Sequence, residues 1–174
     1  MEDIVYKKMP TTLLLVIKNN KILLASKKRG FGIDKYNGVG GKLEPGETIE
    51  QGMIRETQEE IGITPINYTL RGVIRFVEYY KGAPVTEDTH IFVTDSYIGG
   101  PTETDEMKPF WFDLDKIPYD KMFPDDRSWL PLIIQGKNVV GEFKFDKDFN
   151  KLDEKLLVAT DEMLYEWLKK FEEE

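Results

Sequence analysis

Four glutamates lie within eleven residues of a stretch whose hydrophobic spacing predicts a helix: Glu50, Glu56, Glu59 and Glu60. At 100° per residue the last three fall within an arc about 100° wide, so they share one face. Like charges at this spacing repel each other, and Arg55 is the only base nearby. Clustered carboxylate oxygens are ligands for Mg²⁺, which also bridges to substrate phosphates. The pattern favours a metal platform over the alternative, a solvated acidic face.

The elements before this helix are predicted from turn and capping signals. Apolar runs at 11–17 and 21–25, joined through two asparagines, predict a β-hairpin. Residues 27–42 contain five glycines and predict a loop whose backbone approaches another group closely. The helix is predicted over 48–61, because Thr48 and Gln51 form a capping box and Gly62 suits a left-handed C-terminal position.

The second half of the chain predicts further strands and two helices. Strands are predicted at 68–80, 86–97, 108–112 and 139–145, and a helix containing Pro131 at 125–136. The last segment, from about 152, predicts an amphipathic helix with Leu156, Leu157, Met163, Leu164, Trp167, Leu168 and Phe171 on one face. We therefore expect an α/β fold, a mixed β-sheet between helices, with residues 1–150 as the domain and 151–174 packed on it or on a second copy.

Composition limits the class of partner. The 174 residues are 40% hydrophobic, and 24 basic against 32 acidic residues give a net charge of −8. This charge argues against a nucleic acid polymer or an anionic membrane as partner. The chain has no cysteine, which excludes disulfides and thiolate metal sites and fits a reducing cytoplasm. The first residues lack the pattern of a signal peptide, so we expect a cytoplasmic protein.

One motif identifies a family. Gly41 is followed after five residues by Glu47 and, after seven more, by the run from Arg55 to Ile63, "RETQEEIGI". By this spacing the chain is identified as a member of the Nudix hydrolase superfamily, whose signature is the Nudix box. Thr57 stands where the box prefers a bulkier apolar residue, a difference that affects packing.

The resemblance extends over about residues 11–150. The stretches "KKRGFG", "NGVGGK", "DEMKPFWF" and "PDDRSWLPLIIQ" resemble the branch of animal enzymes that hydrolyse oxidised purine nucleoside triphosphates, related to MutT. This implies Mg²⁺-dependent hydrolysis of substrates such as 8-oxo-dGTP or 2-hydroxy-dATP to the monophosphate and pyrophosphate. Two alternatives stay open: another nucleoside diphosphate-linked substrate, such as a dinucleotide polyphosphate or nucleotide sugar, or a catalytically silent nucleotide-binding module.

The resemblance also implies roles at matching positions. The Mg²⁺ ligands would be the Gly40 carbonyl and the catalytic carboxylates of Glu56, Glu59, Glu60 and Glu106, with Mn²⁺ able to substitute. One of Glu59, Glu60 and Glu106 would accept the proton of the attacking water. Lys27 and Lys42 would meet the phosphates, with Gly41 beside the substrate.

The base would be read by Asn37, Asp125 and Asp126, within walls formed by Thr12, Phe31, Phe123 and Trp129. The alternative for the two aspartates is that they cap the following helix. Two positions depart from the branch: Phe123 replaces a tryptophan and Glu87 replaces a methionine. His90 is predicted to be structural. The partner would be a nucleoside triphosphate, bound by a monomer or homodimer.

Overall fold

The computed structural model describes residues 3–174. Its strands are β1 Lys7–Lys18, β2 Lys21–Lys27, β3 Tyr36–Asn37, β4 Thr64–Ile66, β5 Thr69–Tyr80, β6 Ala83–Thr94, β7 Ser96–Ile98, β8 Met107–Asp113, β9 Asn138–Phe145 and β10 Lys151–Ala159. Its α-helices are α1 Ile49–Ile61, α2 Asp126–Ile134 and α3 Asp161–Glu173, and a short 3₁₀ turn spans Tyr119–Lys121.

Eight strands form one mixed sheet. Their order is β10-β9-β5-β6-β1-β2-β3, and β8 pairs with the side of β2 opposite to β3. The pairs β1–β6 and β5–β9 are parallel, whereas β1–β2 and β5–β6 are antiparallel hairpins. Asn19 and Asn20, at φ 53° and 61°, form the first hairpin turn, as the sequence predicts.

Helices cover both faces of this sheet. Met53 and Ile61 of α1 pack with Leu14 and Val16 of β1. Leu13 and Leu15, which alternate with those residues on β1, pack on the opposite face with Trp129 and Leu130 of α2. The expected α/β fold, a mixed sheet between helices, is confirmed.

The boundaries of α1 follow from its caps. Thr48 accepts a hydrogen bond from the backbone N–H of Gln51, whose side chain accepts one from the backbone N–H of Thr48. Gly62 ends the helix at φ 74°. Local sequence therefore fixes the register in which α1 presents its glutamates.

The C-terminal segment differs from the prediction. Residues 151–159 form β10, paired with β9, and the helix begins only at Asp161 after the N-cap Thr160. Leu156 and Leu157 are therefore strand residues, because pairing with the free edge of β9 outweighs the helical spacing of their side chains. Leu164 and Phe171 of α3 pack on Val73 of β5 and Val140 of β9. The division of the chain at residue 150 remains a prediction.

Within residues 3–174, every helix is too short or too polar to cross a lipid bilayer.

Candidate active site

The three glutamates predicted to share a face of α1 have different environments. Glu60 is buried at 6% exposure, and Oε2 accepts a hydrogen bond from the Gly40 N–H at 3.3 Å. The Glu56 side chain is 15% exposed and that of Glu59 is 51% exposed. The face thus runs from the protein interior at Glu60 to solvent at Glu59.

Arg55 holds the carboxylates around it in place. Its Nε and Nη2 donate to the two oxygens of Glu47 at 2.5 and 3.0 Å. Its Nη1 donates to Glu56 at 3.0 Å and to Glu59 at 3.1 Å, and Nη2 also donates to the backbone carbonyl of Lys42 at 3.0 Å. Arg55 therefore links α1 to the glycine loop before it. These contacts explain why Glu47 and Arg55 stand at a fixed spacing in the sequence.

The glycine loop packs directly on β1 and on the glutamates. A Cβ at Gly40 would lie 1.9 Å from the carbonyl oxygen of Thr12, and one at Gly41 would lie 2.7 Å from the carboxyl carbon of Glu56. The Thr12 N–H donates to the Gly41 carbonyl at 2.9 Å. Both positions exclude a side chain, so the loop backbone runs against the carboxylates.

Burial and the negative charges around Glu60 outweigh the nearby positive charge of Lys27. Burial, followed by the negative charges of Glu56 and Glu106, raises the pKa of Glu60 to about 8. Burial is also the main cause that raises the pKa of Glu56, and Glu59 and Glu106 add to it. Glu106 precedes β8, and its nearest base is Arg29, with Nη2 at 3.5 Å. Four carboxyl groups, three on α1 and one just before β8, therefore influence each other.

These residues fit a hard divalent cation by their chemistry. All the donors are oxygens, and a cation would offset the repulsion that raises the two pKa values. In the part of the chain described, no three acidic or histidine side chains converge enough to hold an ion as they stand, since Arg55 binds Glu56 and Glu59.

A cavity of about 400 Å³ adjoins these glutamates. Of the residues predicted for the site, its walls contain Thr12, Lys27, Phe31, Asn37, Gly40, Gly41, Lys42, Glu56, Glu60, Phe123, Asp125, Asp126 and Trp129. Glu59 and Glu106 lie outside its walls. The structure therefore brings the predicted base-reading and phosphate-binding residues to a single cavity.

The two lysines predicted for phosphates reach this cavity by different routes. Lys42 Nζ lies 3.8 Å from the ring centroid of Tyr80, whose pKa is lowered by this lysine. Lys27 is near enough to Glu60 to lower the pKa of that carboxyl slightly. Lys27 thus lies near the glutamates, whereas the Lys42 ammonium lies on the Tyr80 ring.

Asp125 and Asp126 are buried at the other end of the cavity. Asp125 Oδ2 accepts the indole N–H of Trp129 at 2.8 Å, and Asp126 Oδ2 accepts the backbone N–H of Phe123 at 3.1 Å. Asp125 is the N-cap residue of α2, but its side chain makes no capping hydrogen bond. Burial raises the pKa of Asp125 to about 6 and that of Asp126 well above its ordinary value. Both shifts favour a proton held by the pair.

Aromatic rings close the cavity around this pair. Phe31 and Phe123 stack with centroids 5.7 Å apart, and Phe149 lies 5.1 Å from Phe31. Phe31 is 39% exposed, which leaves one face of its ring available. Such walls suit a planar base.

Sequence reasoning missed several residues of the cavity. Glu78, Tyr80, Phe149 and Lys35 line it, and Glu87, expected only as a change at the rim, joins them. The sequence did contain a signal for Glu78, because it lies on the same face of β5 as Ile74 and Phe76, which face the core. Phe149 had none, since it lies in a loop at φ 62°.

His90 is a buried sheet residue, as predicted. Its Nδ1 lies 3.0 Å from the Thr11 carbonyl, and it does not line the cavity.

Comparisons with known proteins agree with this geometry. The family model described as "NUDIX domain" matches residues 7–133. An oxidized purine nucleoside triphosphate hydrolase of Danio rerio is 49% identical over 134 residues, 77% of this chain and 85% of that protein. The Mus musculus protein of the same name is 47% identical over 138 residues, 79% of this chain and 87% of its own. A crystal structure of a MutT protein from Bacillus halodurans matches with TM-score 0.74 and 27% identity, covering 85% of this chain and 97% of that one.

Proposed function

The chain belongs to the NUDIX family, and from that premise we propose that it hydrolyses oxidised purine nucleoside triphosphates to the monophosphate and pyrophosphate. The observation that carries the proposal is the single cavity that joins Glu56 and Glu60 at one end to Asp125 and Asp126 at the other. A nucleotide needs both ends, one for the phosphates and one for the base. The names of the similar animal proteins supply the same substrate class.

A divalent cation, Mg²⁺ in our proposal, would be held by Glu56, Glu59, Glu60, Glu106 and the Gly40 carbonyl. Bound there, it would neutralise charge on the phosphate oxygens and lower the pKa of a coordinated water.

The protein's own residues position the rest. Arg55 keeps Glu56 and Glu59 oriented, and the Gly40 N–H does the same for Glu60. Lys27 and Lys42 would bind phosphate oxygens as they enter the cavity, and Lys42 would then leave the Tyr80 ring. Glu59, Glu60 and Glu106 remain the candidates for accepting the proton of the attacking water.

The base would enter between the aromatic rings and meet the aspartate pair. With one shared proton, the pair offers both a donor and acceptors, which suits the altered hydrogen-bonding pattern of an oxidised purine. Asn37 offers the remaining amide groups, since its Oδ1 accepts only the Gly38 N–H at 2.9 Å.

The test is a substrate panel with Mg²⁺, scored by kcat/KM. It contains 8-oxo-dGTP, 2-hydroxy-dATP, their undamaged counterparts, a dinucleotide polyphosphate and ADP-ribose. The oxidised triphosphates should give the highest values, and hydrolysis in ¹⁸O-labelled water should give pyrophosphate without initial orthophosphate.

A preference for the dinucleotide polyphosphate or ADP-ribose would replace this proposal with the second Nudix substrate class. Tight nucleotide binding without turnover of any substrate would indicate a silent binding module.

A further inference from the structure

A second pair of carboxyl groups faces the cavity from β5 and β6. Glu87 of β6 belongs to the register pair Phe76–Glu87, and Glu78 follows Phe76 by two residues on the same face of β5. Both side chains line the cavity. Glu78 is 6% exposed, and burial together with the neighbouring Glu87 raises its pKa, which favours a proton on this pair.

This pair has no basic partner in residues 3–174, where the ion pairs involve neither glutamate. The neighbouring residue, Asp88, is a buried carboxylate on the same strand that does have a basic partner. Asp88 is 1% exposed on the opposite face, and Arg75 binds both its oxygens at 2.7 and 3.1 Å. Burying an acidic group without such a partner costs free energy, so the burial of Glu78 destabilises the fold unless a polar group satisfies it.

A second, independent atom in the same cavity lacks a partner. Thr12 Oγ1 is the one buried side-chain nitrogen or oxygen in the described part of the chain without a hydrogen bond, and Thr12 is 3% exposed. Thr12, Glu78 and Glu87 come from three different strands, and all three line the same cavity. Unsatisfied polar groups that converge on a cavity point to a polar ligand.

The aspartate pair and the glutamate pair line the same cavity. The charge of Asp125 acts on Glu78, and the charge of Glu87 acts on Asp125. A base held between Phe31 and Trp129 therefore meets carboxyl groups at more than one edge. The oxygens of Glu78 and Glu87 that carry no proton are acceptors, so the base must supply N–H donors at this edge.

We propose that the Glu78–Glu87 pair is a specificity element that binds an exocyclic amine of the purine base, while the aspartate pair meets another edge. The inference rests on the proposed function and adds a substrate requirement. An amine offers two N–H donors side by side, which satisfy acceptor oxygens that an edge without N–H leaves unpaired. Both 8-oxoguanine and 2-hydroxyadenine carry such an amine.

The test compares 8-oxo-dGTP with 8-oxo-dITP, which lacks only the 2-amino group. The protein should prefer the amine-bearing substrate in kcat/KM by about tenfold or more, the effect of one or two lost hydrogen bonds at a buried site. Glu78→Leu combined with Glu87→Met should reduce the preference to about threefold or less on the same estimate. Glu78→Gln should retain it, because its amide can donate to Glu87 in place of the acid proton.

Two controls keep the test decisive. Glu166→Gln removes an exposed acid on α3 outside the cavity and should leave the preference unchanged. If the double variant does not fold, Glu87→Met alone replaces the less buried member and should still weaken the preference.

Binding of 8-oxo-dGMP and 8-oxo-dIMP, measured by calorimetry, separates the two proposals. Absence of turnover on both triphosphates would refute the proposed function, yet the ratio of the two affinities would still test the amine requirement. Equal affinities and equal kcat/KM in the unaltered protein, or a preference that survives the double substitution, would overturn the inference.

Discussion

Gly41 lies so close to Glu56 that a methyl group on its Cα would stand 2.7 Å from the carboxyl carbon of that glutamate. The glycine is thus part of how Glu56 is aimed. Arg55 fixes Glu56 from the other side, with Nη1 3.0 Å from Oε1, so the carboxylate has little room to move.

Gly41→Ala should therefore displace Glu56 and lower kcat by about 100-fold, the order expected for a misplacement near 1 Å. The fold should survive, because Gly41 is not at a positive φ. The measurement is turnover of 8-oxo-dGTP together with the thermal midpoint. Gly100→Ala is the matched control, since a Cβ there meets nothing within 4 Å, and it should be neutral.

Glu59→Gln and Glu60→Gln should each lower turnover by at least ~100-fold, because they remove negative charge from the proposed metal site. The thermal midpoint without Mg²⁺ should hold or rise for Glu60→Gln, since a buried acid is replaced by a neutral amide. Glu50→Gln, on the same helix but bonded to Tyr68, serves as the control. Near-normal turnover in both variants would show that Glu59 and Glu60 are not part of a metal site needed for hydrolysis.

Asp126→Ala and Asn37→Ala should lower kcat/KM for 8-oxo-dGTP by about tenfold or more, with a smaller effect on undamaged dGTP. Both residues line the base end of the cavity. Asp126 also accepts the Phe123 N–H, so Asp126→Asn, which keeps an acceptor there, separates base reading from support of the loop. Asp120→Ala, at an acid 97% exposed, is the control. Equal losses on both substrates would mean that these residues support the phosphates or the fold.

The pH dependence of stability should report the proton on Glu78. Burial and Glu87 raise its pKa from 4.5 to about 10, so between these values the folded chain holds a proton that the unfolded chain releases. The unfolding free energy should therefore fall as pH rises, by up to about 1.4 kcal/mol per pH unit for this group.

Urea unfolding with chelator at pH 7 to 9 tests this relation, above the range of His90, whose pKa is lowered from 6.5. Glu60, with a pKa of about 8, adds a slope of the same sign, so the test is the difference between Glu78→Gln and the unaltered protein. Glu78→Gln should flatten the slope, and Glu166→Gln should not. An unchanged slope in Glu78→Gln would show that Glu78 holds no proton in the folded protein.

Phe171 should contribute strongly to stability through α3. It is 2% exposed, packs with Val73 and Val140, and lies 4.3 Å from the Arg75 guanidinium carbon. Phe171→Ala should lower the unfolding free energy by about 3 kcal/mol or more, measured by urea titration. Tyr165→Ala on the same helix, at a residue 66% exposed, should change it little. Similar small effects from both would mean that α3 packs only weakly.

Capping and turn residues in the sequence predicted the helix and the hairpin that position part of the site. The capping box and Gly62 located α1, and the asparagine turn located the first hairpin. The register of Glu56, Glu59 and Glu60 followed from these boundaries. Their unequal burial did not, because it depends on the glycine loop that packs over Glu60.

The errors and omissions have tertiary causes. The hydrophobic spacing of residues 151–159 predicts a helix, but these residues pair with β9 as a strand. The free edge of β9 exists only once the sheet has formed, so the local sequence does not predict this pairing. The approach of Asp125 to Glu78 and Glu87 depends on α2 packing against β9, and no spacing in the sequence predicts that packing.

The parallel pairing of β1 with β6 also governs when the cavity can exist during folding. Thr11 and Thr89 share a hydrogen bond although 78 residues separate them in the chain. The two hairpins need only short loops to form, whereas this central seam must close a long one, which slows folding. Met9 faces Glu87 across the same seam, and both line the cavity. A nucleotide can therefore bind only to molecules in which β1 has already paired with β6. Its binding stabilises the protein only at this last stage of folding.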